Sequence, residues 1–208
     1  MAKIKITYKN RWVFFIFTYI WAISLYLFSN RVHIFPVHLL PLTPIDIWVP
    51  YMPWTGWIYI GVYFIPLGCT VIVKDPADIK RIVYSFLAMT TVCTTVFVLY
   101  PTVYPRPEMN LSASSGSYAL QMVQSLDTPA NSMPSQHVAL AFLSAFFIHR
   151  YRKSWGNAAI LFGILISIST LTTKQHYIWD VIIGYAMARF SYLIATYQPR
   201  RSHSEVAQ

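Results

Sequence analysis

The sequence predicts an all-α membrane protein: six transmembrane helices in one bundle over residues 1–197, with its chemistry at the outer face. Three observations lead there. Of 208 residues, 56% are hydrophobic and only 11% charged, less than half the roughly 25% charged share of a soluble globular domain. The apolar residues gather into runs near the roughly 20 residues that a helix needs to cross the hydrocarbon core. The basic residues are sorted between alternate connectors.

The predicted spans are Trp12–Phe28, Thr55–Val73, Ile82–Tyr100, Gln136–Ile148, Trp155–Leu171 and Tyr177–Tyr197. The fourth is short and needs its polar start to make up length. Pro66 interrupts the second, and neighbouring helices can accommodate that break. The basic start of the first run resembles a secretory leader. Its small-residue site Ala22-Ile23-Ser24 lies inside the run, however, and Arg31 follows it, so the run is read as a retained span. Cys69 and Cys93 sit within apolar runs and are read as core packing. Abundant aromatics, 17% of the chain, suit Trp and Tyr belts at the two interfaces.

The charge map sets the orientation. Of sixteen Lys and Arg residues, all but Arg31, Arg106 and Lys174 fall in the N-terminal segment, the 74–81 and 150–153 loops, or the C-terminal end. Basic connectors stay cytoplasmic. Both termini are therefore predicted inside a bacterial inner membrane or eukaryotic endomembrane, with loops 29–54, 101–135 and 172–176 facing out. The net charge of +9 has no soluble basic domain to present it, so no nucleic-acid partner is expected. The tail 198–208 reads as a basic cytoplasmic segment able to touch anionic lipid.

Arg106 and Lys174 therefore break the charge rule, and each lies in a connector that also carries a histidine. Ionisable residues at a membrane edge are functional candidates. Asp180 follows His176 by four residues, so the two share a helix face. The carboxylate can accept from Nδ1–H and leave Nε2 unprotonated, the arrangement that activates a nucleophile. A His–Asp pair that merely holds a helix end is the plainer alternative. Pro134 and Ser135 suit a helix start, whose N–H groups attract an anion such as phosphate. His137 in that first turn can give a proton to a leaving oxygen, or serve only as an interfacial cap.

These residues together resemble the type 2 phosphatidic acid phosphatase superfamily of lipid phosphatases and phosphotransferases. That family carries Lys, six residues, Arg-Pro; then Pro-Ser-Gly-His; then Ser-Arg, five residues, His, three residues, Asp. This chain supplies Arg106-Pro107, Pro134-Ser135-Gln136-His137, and Ser169, His176 and Asp180 at matching spacing. The resemblance implies that His176 attacks phosphorus, Asp180 orients it, His137 protonates the departing oxygen, and Arg106 with Ser135 holds phosphoryl oxygens. It implies a lipid phosphate substrate and neither metal nor other cofactor. Three positions depart: Leu99 and Thr170 stand where the family has Lys and Arg, and Gln136 where it has Gly. Lys174 is the candidate to restore one cation, and Gln136 to contact a head group or a phosphate oxygen. Fewer cations suit a singly charged diester. The His176-Tyr177-Ile178-Trp179-Asp180 stretch also looks like the inositol phosphorylceramide and sphingomyelin synthase branches. Hydrolysis is the leading expectation, with transfer to ceramide or another lipid alcohol as the alternative. Two other classes compete: a haem carrier using His137 and His176, and an inactive scaffold or lipid transporter.

The connectors carry lesser expectations. Thr43 and Asp46 fit a capping box in an irregular, proline-rich interfacial segment, with His33 and His38 as interfacial polar residues. The 108–132 connector is expected to lay a short amphipathic helix over the pocket. His149 and Tyr151 belong to a cytoplasmic anchor.

Overall fold

The computed structural model describes residues 6–107, 115–126 and 130–197. The predicted tail 198–208 and parts of the 108–132 connector lie outside the described residues. The first helix, α1 (Arg11–Ser29), has 19 residues, about 28 Å at 1.5 Å per residue, close to the thickness of a hydrocarbon core. The segment after it holds a short strand, β1 (His38–Leu39), and a single helical turn, α2 (Pro44–Trp48). Thr43 caps α2 in the expected capping box with Asp46.

The second predicted span is a broken helix over Pro53–Ile72. A 3₁₀ turn at Pro53–Thr55 leads into α3 (Gly56–Ile60), a second at Gly61–Tyr63 follows, and α4 (Ile65–Ile72) completes it. Pro66 does not cause the break. It sits in the first turn of α4, where its missing N–H has no helical partner to lose. The third span, α5 (Pro76–Leu99), begins six residues before its predicted start. Asp75 accepts from the Asp78 backbone N–H at 3.0 Å and Pro76 opens the first turn, so Lys80 and Arg81 are helical. The second strand, β2 (Thr102–Val103), follows, and α6 (Ser115–Leu126) supplies the amphipathic helix expected there.

The remaining helices are α7 (Gln136–Tyr151), α8 (Lys153–Thr172) and α9 (Ile178–Thr196). Five stretches of the described chain are long and apolar enough to cross a membrane, and α7 is not among them. It has 16 residues, about 24 Å at 1.5 Å each, and packs on α4, α8 and α9. Val138, Leu143 and Phe147 are fully buried. A helix wrapped by protein on most sides has no need of a lipid-facing stripe.

Most buried hydroxyls within these helices are satisfied locally, Thr94 Oγ1 of α5 being an exception among the described residues. Thr18 donates to the Phe14 carbonyl, Thr90 to Phe86 and Ser144 to Leu140, at 2.8, 2.8 and 2.7 Å. Such bonds let Ser and Thr lie inside a dry bundle. Cys69 and Cys93 are buried and unpaired, as expected.

The two strands were not anticipated. β1 pairs in parallel with β2, His38 beside Thr102 and Leu39 beside Val103, and Thr102 bridges onward to Asn131. Asn131 Nδ2 donates to Ser29 Oγ at 2.9 Å and Asn30 Oδ1 at 2.6 Å, tying the end of α1 to the approach of α7. His38 stacks on Tyr100, with ring centroids 4.5 Å apart. At the opposite end of the bundle Asp78 pairs with Arg81 and, at 3.5 Å, with Arg150.

Candidate active site

The N-termini of α7 and α9 meet at the strand-bearing end of the bundle. The chain enters α7 through a cis Met133–Pro134 peptide. Ser135 then caps the helix, its side chain accepting from the Val138 N–H. The Ser135 N–H donates to the Asp180 carbonyl at 3.0 Å, which locks the two helix starts together. Gly184, one turn beyond Asp180, permits the approach: a Cβ there would lie 2.5 Å from the Ser135 carbonyl oxygen.

The geometry brings His137, His176 and Asp180 together, at 7%, 5% and 0% exposure. The two imidazole centroids are 5.8 Å apart at an interplanar angle of 60°. His176 Nδ1 lies 2.8 Å from the Ser132 carbonyl and 3.3 Å from Asp180 Oδ2. A carbonyl only accepts, so Nδ1 carries the proton. That leaves Nε2 of the neutral ring with a lone pair. Asp180 Oδ2 also accepts from Ser132 Oγ and from the Tyr177 N–H, so three donors converge on one oxygen. Asp180 thus holds the turn as well as the imidazole.

On the other side His137 packs on Tyr59, with centroids 4.4 Å apart, and its Nδ1 is 3.3 Å from the Tyr59 hydroxyl. Arg106 is half-buried, and its charge is felt at His137. Gln136 is buried, and its Oε1 has no partner among the described residues. Leu99 is exposed at the end of α5, while Thr170 is buried and donates to the Ser167 carbonyl at 2.7 Å. Neither offers a cation to the histidines.

Lys174, the expected second cation, makes its contacts with backbone carbonyls of the 30–52 connector. It has a left-handed backbone, φ 54°, and its Nζ lies 2.6 Å from the carbonyls of both Asp46 in α2 and Val49 just after it. Two of its three donors are spent there. Burial pulls its pKa below the ordinary lysine range, and Asp46 partly offsets that. Asp46 Oδ1 in turn accepts from the Ile178 N–H at 2.8 Å. The connector that carries α2 is therefore clamped to the start of α9 from both sides. Close by, Tyr104 packs at a tilt against Tyr177, with centroids 4.5 Å apart; burial, with Asp46, Tyr177 and Asp180 adding, pushes its phenol up to about 12.

Sequence reasoning missed Ser132, Tyr59, Gly184 and the Asp46–Ile178 bond. Ser132 stands two residues before Pro134 and carried the only local signal. Tyr59 comes from the broken second span, whose face could not be read from period alone. Among the described residues no group of three or more His, Cys, Asp or Glu is arranged to hold a metal.

Fold and site define a multi-pass helical membrane protein with a buried histidine pair at one end of its bundle. Its sequence matches the PAP2 superfamily over residues 24–194. The chain belongs to that superfamily, and is accordingly a lipid enzyme of phosphatase or phosphotransferase type. No individual curated protein matches it.

Proposed function

We propose that this protein hydrolyses a lipid phosphate ester at the outer face of its membrane through a phosphohistidine on His176. Six spans, with α7 as the fourth, put both termini in the cytoplasm and the histidines outside, in keeping with the basic residues at the opposite end. The supporting observation is the 5.8 Å imidazole pair, one ring of which has its Nδ1 proton committed to Ser132.

His176 Nε2 forms a bond to phosphorus while the bond to the ester oxygen breaks. Beside the bound anionic phosphate, which favours its charged form, His137 takes up a proton; its Nδ1–H then donates to the Tyr59 hydroxyl and its Nε2–H goes to the departing oxygen. Arg106, Ser135 Oγ and the free N–H groups of the first turn of α7 hold the phosphoryl oxygens. A water then attacks phosphorus and gives its proton to the now neutral His137, and the N–P bond breaks to restore His176. Lys174 acts here as a strut of the connector and not as a phosphate ligand. No metal or other cofactor enters these steps.

Phosphotransfer is the second reading, favoured by the missing cations. With Leu99 turned out, Thr170 bonded to its own helix and Lys174 spent on α2, Arg106 is left as the guanidinium beside the histidines. A diester donor, with one charge on two oxygens, needs less compensation. A lipid alcohol such as ceramide would then replace water as the acceptor. Superfamily membership favours a lipid enzyme over the haem-carrier reading.

The test is turnover of a lipid phosphate panel by purified protein, with and without added ceramide, products identified by mass spectrometry. Free phosphate or a free head group marks hydrolysis, and a new phospholipid marks transfer. Wild-type protein quenched in alkaline denaturant, where an N–P bond survives, is expected to carry phosphate on His176. His176→Ala is expected to turn over nothing. Full activity in that variant overturns the proposal and leaves the scaffold or transporter reading to be tested by lipid flux.

A further inference from the structure

At the end of the bundle opposite the histidines, Tyr192 of α9 lies between two arginines. The seam of α7 and α9 is aromatic here: Phe146 packs on Tyr185 and Tyr192, with ring centroids 6.0 and 5.6 Å apart. Arg189 of α9 lies over this seam, its guanidinium carbon 5.6 Å from the Phe146 centroid and 6.0 Å from that of Tyr192. The rings hold the guanidinium in place and use none of its five N–H donors. Among the described residues Arg189 has no hydrogen-bond or carboxylate partner. It is exposed, and so are Phe190, Leu193 and Ile194 around it, which makes this face a lipid-facing one. Arg189 stands seven residues before Thr196, the last of α9, so about 10 Å inside that end at 1.5 Å per residue. Arg150 of α7 is the second arginine. It adjoins the Tyr192 hydroxyl, and its Nε is 3.5 Å from Asp78 Oδ2. Asp78 also pairs with Arg81 at 2.5 Å. One carboxylate therefore serves two guanidiniums, and Arg189 adds a further charge with no counterpart.

We infer that Arg189 and Arg150 bind the phosphate of an anionic phospholipid in the leaflet opposite the histidine site, its acyl chains lying along α9. The inference is independent of the phosphoryl-transfer reading. An ionisable side chain on a lipid-facing span needs a partner or a route to the headgroup layer. A guanidinium meets a phosphate through two parallel N–H bonds, and basic pockets between spans are known seats for anionic headgroups. Net charge selects the lipid. A zwitterionic headgroup brings its own cation, which Arg150 and the adjacent Arg152 and Lys153 repel, whereas an anionic one neutralises the surplus. The chains have a surface to lie on: Tyr185 and Ile182, one and two turns back from Arg189 on the same face, are exposed. A soluble phosphate would meet the same cations but would have to leave water for that apolar surface. Because α7 and α9 also carry His137 and His176, a lipid bridging Arg150 and Arg189 fastens together the two helices that hold the candidate site.

The experiment melts purified protein in nonionic detergent with added phosphatidylglycerol, with phosphatidylcholine of the same chains, or with phosphatidylcholine plus sodium phosphate at matched ionic strength. Near saturation, at about 100 times the half-saturating mole fraction, phosphatidylglycerol is expected to raise the wild-type melting temperature by about 5–10 °C over phosphatidylcholine. Arg189→Leu and Arg150→Gln are each expected to remove at least about half of that shift. Phosphatidylglycerol held at the distant histidine site instead would leave the shift intact in both variants. Equal shifts from the two lipids in wild type, or a full shift retained in either variant, overturn the inference. So does a shift reproduced by sodium phosphate, which would make the ligand a free anion. Should a variant fail to fold, wild type is photolabelled with phosphatidylglycerol bearing a diazirine next to its glycerol backbone. Crosslinks to Tyr185, Phe190 or Tyr192 support the site, and crosslinks found only elsewhere, or none, overturn it.

Discussion

The Ser132 carbonyl oxygen stands 2.8 Å from His176 Nδ1, nearer than the Asp180 carboxylate at 3.3 Å. A backbone carbonyl cannot be protonated or turned away at ordinary pH, so it sets the tautomer independently of Asp180. In a serine protease triad, replacing the orienting Asp by Asn leaves the wrong tautomer and costs about 10⁴ in kcat. Here Asp180→Asn is expected to lose only about 10- to 100-fold, the range of an outer-shell hydrogen-bond partner. Steady-state kcat on a lipid phosphate measures it. A loss as large as in the protease would mean that the carbonyl does not suffice.

His137 should matter in proportion to how badly the leaving group needs a proton. An alkoxide from a lipid alcohol leaves poorly, and a positioned acid contributes about 10²–10⁴ to its departure. p-Nitrophenolate leaves unaided. In a single-turnover burst, His137→Gln is therefore expected to slow phosphohistidine formation from phosphatidic acid by at least about 10²-fold, and from p-nitrophenyl phosphate by about tenfold or less. Equal losses on both substrates would point to a role in binding or structure.

How much of this was legible beforehand follows from the range of each interaction. The His176–Asp180 pair is a four-residue relationship, and the Ser135 cap a three-residue one, so sequence spacing reached both. Lys174 was legible as an anomaly but not as a strut, because its partners Asp46 and Val49 lie more than a hundred residues away. Pro66 misled for a local reason: a proline reads as a break, yet in a first turn it starts a helix. The early start of α5 was hidden by Asp78, Lys80 and Arg81, whose charge masked a capped first turn. The β1–β2 ladder has two residues per strand, too few for any alternation to register. Tyr59 is placed by tertiary packing alone, and Ser132, for all its place beside Pro134, is held by a bond from its N–H to the distant Thr102 carbonyl.

Lys174 tests the division between strut and ligand. Lys174→Met removes two bonds to α2, and protease nicking of the 40–54 connector is expected to rise while kcat stays within about fivefold. Arg106→Ala, by contrast, is expected to lose about 10²-fold or more, the scale of one lost oxyanion donor. The pH response carries a sign. The folded-state pKa of Lys174 lies below its unfolded value, so between the two the unfolded chain binds more protons and stability rises with pH. Wild type should gain in melting temperature relative to Lys174→Met as pH climbs through the alkaline window beneath the ordinary lysine range. A gap that narrows there instead would show that the charged ammonium is what holds α2.

Gly184 couples stability to chemistry through a single missing methyl group. A Cβ at this position would fall 2.5 Å from the Ser135 carbonyl oxygen and 3.3 Å from Val138 Cβ. The first of these is backbone and cannot rotate aside. Gly184→Ala must therefore push α9 away from α7, stretching the Ser135–Asp180 backbone bond of 3.0 Å. Overpacking of this kind costs about 1–3 kcal/mol, read as a lower melting temperature in detergent. Since the two helix starts carry His137 and His176, separating them by even about 1 Å costs on the order of 10²-fold in turnover. Both losses are expected together, and a variant with a lowered melting temperature but wild-type kcat would show that the spacing of the imidazoles is not set by this contact.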